Sequence, residues 1–270
     1  MKKSTTLRSD IAWSTPDKVV VKGFDLPKTL LGHINFGDMA FLEIMDRLPS
    51  PAESVMFNAL LVSLVEHGIT PSALATRLTI MGAPESLQGA VAAGLLGLGN
   101  VFVGTIEGSA KMLQEALADQ PLTHDLDQTA TQLVEQHIQN HRNIPGIGHP
   151  IHKPVDPRSE RLFDLAQSTG YEGPYVGLMK RVAERASERL GKTLPVNVTG
   201  AIGAIASEMG IGWTVCRGLG VMARAVGLVG HILEEGRQPL APQLWLNTEK
   251  EATLHLTDGD AGSTDSPQDR

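Results

Sequence analysis

The chain has 270 residues, 41% of them hydrophobic, and a formal net charge of −7. That argues against a nucleic-acid binder or a protein that docks on an anionic membrane, and it allows one large domain or two modest ones. The single cysteine, Cys216, excludes an internal disulfide and points to a reducing, cytoplasmic setting.

Residues 1–18 are polar and read as irregular; the start carries positive charge with no apolar run behind it, so no signal peptide is expected. The β-branched run before Gly23 suggests a short strand or hairpin arm within Lys18–Leu26. A helix is expected over Asp38–Arg47. A stronger one follows over Pro51–His67, where Ser50 and Glu53 form a capping box, Pro51 sits at the first helical position and Gly68 closes the end. The next helix runs from Pro71 behind Thr70 to Met81. Pro84–Leu96 follows, apolar nearly all round in its second half and therefore expected to be central and buried. Gly104–Gly108 reads as a link into a helix over Ser109–Ala118, and Leu122–Asn140 as a polar amphipathic helix.

Residues Asn143–Arg158 then hold four prolines, two glycines, two histidines, a lysine, an aspartate and an arginine, apart from a second arginine that precedes them. No helix or interior strand accepts that many prolines, so this is a loop, but a stiff one. Beyond it, helices are expected over Arg158–Gln167, Pro174–Leu190, Ala201–Met209 and Thr214–Glu235, with a polar, disordered tail over 251–270. The window Thr214–Leu233 is apolar enough to suggest a membrane span, yet it contains Arg217, Arg224 and His231 and reads as a buried helix. The fold class is mainly α.

Several side chains in this pattern carry chemistry. His149, between Gly148 and a proline, is an imidazole on a braced loop, suited to proton transfer near neutral pH. Lys153 and Arg158 can bind phosphate or carboxylate, or be solvated surface charge. His67 is either a helix cap or a catalytic group, and Glu107 either a favourable charge at a helix start or part of a site. Arg224 lies among apolar neighbours and needs a partner, for which a buried carboxylate ligand is a candidate. His231 reads as a satisfied core histidine. No His, Cys, Asp or Glu group has metal-ligand spacing, so no metal is expected.

Pro145-Gly146-x-Gly148-His149 followed by Asp156-Pro157-Arg158 resembles the most diagnostic motif of the citrate synthase superfamily. The resemblance extends over about Val19 to Leu246 and includes His67-Gly68-x-x-x-Ser72, Gly104-Thr105-Ile106-Glu107-Gly108, Asn197-Val198-Thr199-Gly200 and Ala223-Arg224-Ala225-Val226-Gly227. It is strongest toward the short bacterial citryl-CoA lyases and the lyase module of ATP-citrate lyase.

The resemblance implies a helical homodimer with a large domain over 19–107 and 210–250, and a small inserted domain over 108–209 that closes over the substrates. It implies a coenzyme A thioester as substrate, held by the main chain of Ile144, Pro145, Gly146, Ile147 and Gly148 and by Lys153. His67, His149, Arg158 and Arg224 would bind a keto acid, and His149 would move the proton on its oxygen. The implied activity is cleavage or formation of a carbon–carbon bond between an acyl-CoA and a keto acid; the alternative is an acyl-CoA-binding pseudoenzyme or regulator.

The chain departs from the family at three positions. Thr199 stands where the family's catalytic aspartate is usual, Glu107 where citrate synthases place a histidine, and Ala241 where the family offers a late arginine. A threonine hydroxyl cannot serve as that base. Glu107 is expected to take over the lost carboxylate's role, and the substitutions bear on whether citrate itself is the substrate skeleton.

Overall fold

The computed structural model describes residues 7–118, 125–149 and 152–257. Among them are eleven α-helices and one small sheet, as the composition predicts. The sheet is a meander of β1 (Ala12–Thr15), β2 (Lys18–Val21) and β3 (Phe24–Asp25), with Thr15 opposite Lys18 across a two-residue turn. The strand at Ala12–Thr15 corrects the expectation of an irregular start. Its residues carry little strand signal alone and are drawn into the sheet by pairing with the β-branched β2.

The helices are α1 (Phe36–Met45), α2 (Pro51–Val65), α3 (Pro71–Gly82), α4 (Leu87–Leu96), α5 (Gly104–Ala116), α6 (Leu126–Gln139), α7 (Pro157–Thr169), α8 (Pro174–Leu190), α9 (Val198–Glu208), α10 (Trp213–Arg237) and α11 (Ala241–Thr257). The helix expected from Pro84 begins at Leu87. Gly104–Gly108 is the first turn of α5 rather than a link, because Asn100–Val103 already turn the chain. Residues 251–257 continue α11, which corrects the start of the expected tail; 258–270 and the expected helix start at Leu122 lie outside the described residues.

The chain divides into two compact units. The first comprises Met1–Val65 and Gly99–Ala223, the second Glu66–Leu98 and Arg224–Arg270. The first contains the main core. Phe41, Phe57, Ile106, Leu113, Met179, Ile202 and Ile205 are fully buried where α5, α8 and α9 pack together and α2 and α7 close one side. In the second unit α4 lies on α3, and α11 also meets α3. Gly94 makes the first of these contacts possible, since a Cβ there would lie 2.8 Å from the Ser72 carbonyl oxygen. Only Ala90 and Gly94 of α4 are buried, while Leu96 is 87% exposed. The expected central position of α4 is therefore corrected: within its unit α3 and Leu228 of α10 cover only the face that carries Ala90 and Gly94.

The capping box forms as expected. The Ser50 N–H donates to Glu53 Oε2 at 2.8 Å, and the Glu53 N–H donates to Ser50 Oγ at 3.3 Å. Arg47 adds a second clamp, its Nη1 donating to Glu53 Oε2 at 2.8 Å. The Arg47 hydrogen bond outweighs burial and, with Ser50, pulls the Glu53 carboxyl down to about 2. A depressed carboxyl stabilises the fold above its unfolded value, and that stability is lost as pH falls toward the folded one. Glu53→Gln should therefore cost about 3 kcal/mol at pH 7. In urea melts the gap to the parent protein should close as pH is lowered from about 4.5 toward 2.

Candidate active site

Three segments of the first unit meet with almost no side-chain volume between them. A Cβ on Gly146 would lie 2.6 Å from Gly200 Cα and 3.0 Å from Ser109 Cβ, and one on Gly200 would lie 2.2 Å from the Gly146 oxygen. Pro145 covers Gly108, and Ser109 Oγ donates to the Thr199 carbonyl at 3.0 Å. The stiff loop, the first turn of α5 and the start of α9 thus form one wall, bringing together Pro145–Gly148, Glu107 and Thr199.

Asn197 ties the wall together. It caps α9, its Oδ1 accepting the N–H groups of Thr199 and Gly200 at 3.0 and 3.1 Å and the Thr199 hydroxyl at 2.7 Å. Its Nδ2 donates to the Gly148 oxygen at 2.8 Å, and its own N–H donates to the Gly146 oxygen at 3.0 Å. The Gly148 N–H donates to the Pro195 oxygen at 2.7 Å. The Gly148 N–H and carbonyl thus pin the loop against 195–197. The Thr199 hydroxyl is a donor within the cap, as its chemistry requires.

Asp156 is fully buried and caps α7. One oxygen accepts the Arg158 N–H at 3.0 Å and Arg158 Nε at 3.1 Å; the other accepts Arg158 Nη2 at 2.9 Å and the Val198 N–H at 3.0 Å. Burial pushes this carboxyl up, and the Arg158 and backbone donors together hold it below its ordinary value. Arg158 therefore already has a carboxylate partner within the chain.

His149 accepts the His152 N–H on Nδ1 at 3.0 Å, and the two rings stack at 4.4 Å. The neutral His149 ring then carries its proton on Nε2. A cleft of about 530 Å³ opens beside it, lined by Gly148, His149, Lys153, Pro154, Lys192, Thr193 and Leu194. Lys192, just past the αL cap of α8 at Gly191, gives no local sequence signal.

Glu107, in the first turn of α5, is paired with Arg217 of α10 through Nε–Oε2 at 2.6 Å, and Arg217 also donates to Asn100 Oδ1 at 2.6 Å. Arg217 was legible in the sequence only as a charge in an apolar helix. The nearby Cys216 is buried, and burial first, then Glu107, pushes its thiol up to about 12, so it is no nucleophile.

His67 and Arg224 belong to the second unit. Arg224 is nearly buried, its Nη1 3.5 Å from Glu66 Oε1. Burial pushes its pKa down and Glu66 partly restores it. The same Glu66 oxygen accepts the N–H groups of His67 and Gly68 at 2.8 and 2.7 Å. The carboxylate partner that Arg224 was expected to need is therefore supplied by this chain. Ala241 is buried and its N–H donates to Glu235.

The helical fold brings together a braced Gly-x-Gly-His loop and a helix start capped by Asn197. The family profile described as citrate synthase, C-terminal domain, matches residues 33–241, and the chain belongs to the citrate synthase family. It is similar to the citryl-CoA lyase of Hydrogenobacter thermophilus, with a TM-score of 0.77 and 34% identity over 85% of this chain and 86% of that one. The ATP citrate lyase of Methanothrix soehngenii, solved with citrate and coenzyme A, shares the fold at TM-score 0.73 and 24% identity, over 88% of this chain and 40% of that one. A probable ATP-citrate synthase of Dictyostelium discoideum is 26% identical over 255 residues, which are 88% of this chain. The match covers 39% of that relative's own length.

Proposed function

We propose that the chain is a lyase of the citryl-CoA type. It would cleave a carboxylate-bearing 3-hydroxyacyl-CoA into an acyl-CoA and a keto acid, or run the reaction as an acyl transfer in reverse. The observation that carries this reading is the cleft beside His149, where Lys153 and Lys192 supply two cations for the phosphates of coenzyme A. The cleft shares Gly148 with the wall of Pro145–Gly148, Glu107 and Thr199, which supports a thioester end that would reach the groups proposed to handle protons. That the relatives are named as lyases and synthases lends nothing to the reading as an acyl-CoA-binding regulator.

In the cleaving direction the substrate hydroxyl loses its proton, and the O–H pair becomes the carbonyl bond. The carbon–carbon pair passes to the thioester α-carbon as an enolate, which is then protonated. His149 would hold that oxygen through its Nε2–H as it becomes a carbonyl, the hydroxyl proton passing to solvent, and in the condensing direction it would donate to the carbonyl oxygen. Glu107, in the absence of an aspartate at 199, serves the α-carbon. His67 and Arg224 would carry the keto-acid half, and Arg158 would be a cation for a substrate carboxylate. The small domain of the proposed enzyme would span 108–209. A homodimer would cover the exposed face of α4 and the exposed Val226, Val229 and Leu233 of α10.

The test is incubation with citryl-CoA and related 3-hydroxyacyl-CoA thioesters while acyl-CoA and keto acid are followed. Release of both products is expected. Lys192→Ala should raise the KM for the thioester by about 10-fold with kcat little changed, as for lost uniform binding. No release from any thioester would overturn the reading.

A further inference from the structure

The second unit contains a buried polar chain that the reaction does not directly use. Arg77 on α3 is 2% exposed. A guanidinium in that position needs partners on its donors, or its desolvation goes uncompensated. They come from α10: Nη1 donates to Glu235 Oε2 at 2.8 Å, Nη2 to Glu234, and Nε to His231 Nδ1 at 3.0 Å. Glu235 is itself held by the N–H groups of Leu240 and Ala241 at 2.9 and 2.8 Å, at the start of α11.

The direction of the next link follows from chemistry. Arg77 Nε is a permanent donor, so His231 Nδ1 accepts and the ring proton sits on Nε2. That atom lies 3.1 Å from Glu66 Oε1 and donates to it. Glu66 Oε1 is the oxygen that also accepts from His67, Gly68 and Arg224. Helix α2 ends at Val65 and Gly68 has φ +73°, so residues 66–68 are loop with no helical bonds to hold them. Glu66 is 44% exposed at its side chain, and by itself its carboxylate would have several rotamers available.

We infer that His231 and Arg77 are positioning residues for the keto-acid half of the site. Arg77 sets the His231 tautomer, His231 fixes the Glu66 carboxylate, and Glu66 fixes the main chain at His67 and the guanidinium of Arg224. This rests on the reading above, in which His67 and Arg224 hold the keto acid. The network does not touch the substrate; it determines where the two groups that do are placed.

The experiment uses the full chain and oxaloacetate as the probe, with binding read by calorimetry so that turnover is not required. His231→Leu removes the donor to Glu66, and oxaloacetate affinity should fall about 10- to 100-fold, as for a lost hydrogen bond to a charged group. Coenzyme A affinity should stay unchanged. His231→Gln places an N–H donor near the Nε2 position and should recover most of the loss. Nitrogen NMR of the parent protein should show His231 protonated on Nε2 and bare on Nδ1. The inference is overturned if the parent does not bind oxaloacetate, if His231→Leu binds it as the parent does, if Gln is no better than Leu, or if the proton sits on Nδ1. A parent protein that binds oxaloacetate but cleaves no thioester would sink the proposed activity and leave this inference standing on the variants.

Discussion

Glu107→Gln should lower kcat by about 10²- to 10⁴-fold, the usual worth of a general acid or base, and leave coenzyme A affinity intact. Gly108 lies under Pro145 and Ser109 bonds to the Thr199 carbonyl, so the turn that bears Glu107 packs against the start of α9. The carboxylate is also the ion-pair partner of Arg217 at 2.6 Å, which gives the experiment a needed control. If Glu107 mattered only as a salt-bridge partner, Arg217→Gln would do equal damage. The catalytic role predicts that Arg217→Gln keeps far more turnover than Glu107→Gln, with melting temperatures lowered alike. Near-normal turnover in Glu107→Gln would remove Glu107 from the mechanism.

Gly200→Ala should destroy coenzyme A binding and lower stability by about 1–3 kcal/mol or more, the cost of forcing atoms into a packed core. The new methyl would meet the Gly146 oxygen at 2.2 Å and Met179 Cε at 2.8 Å. The methionine can move aside, but the carbonyl belongs to the loop that Asn197 and Pro195 pin in place. The wall therefore has to open, moving His149 relative to the start of α9. Gly170→Ala is the comparison: φ there is +83° and nothing lies within 4 Å of the added methyl. That variant should lose only the left-handed backbone cost of about 1–2 kcal/mol and bind coenzyme A normally. Thermal melts and a coenzyme A titration check both.

Local signals were read well because they act locally. The Ser50–Glu53 box, the Pro174–Leu190 helix with its Gly191 cap and the stiffness of the central loop each follow from neighbours a few residues apart. Partnerships were not legible. Glu107 finds Arg217 across 110 residues, and Arg77 finds His231 across 154. No pattern of spacing announces either, although an arginine in an apolar helix already demands a carboxylate, an argument made for Arg224 that applied equally to Arg217 and Arg77. The burial of α4 was misjudged for a related reason. An apolar circumference does not say which faces of a helix the rest of its own chain will cover.

The Asp156–Arg158 pair restricts how a ligand can be read. A guanidinium has five N–H groups; here Nε and one Nη2 hydrogen are given to Asp156, leaving the two on Nη1 and one on Nη2. An incoming carboxylate can be gripped by two parallel bonds only along that outer edge, in the plane Asp156 sets. If Arg158 meets a substrate carboxylate as proposed, approach angle would become a selection criterion, and two acids of equal charge and size would be told apart by the tilt of their carboxylate. A lysine at 158, with one nitrogen and no plane, could satisfy Asp156 or the ligand but would impose no such orientation.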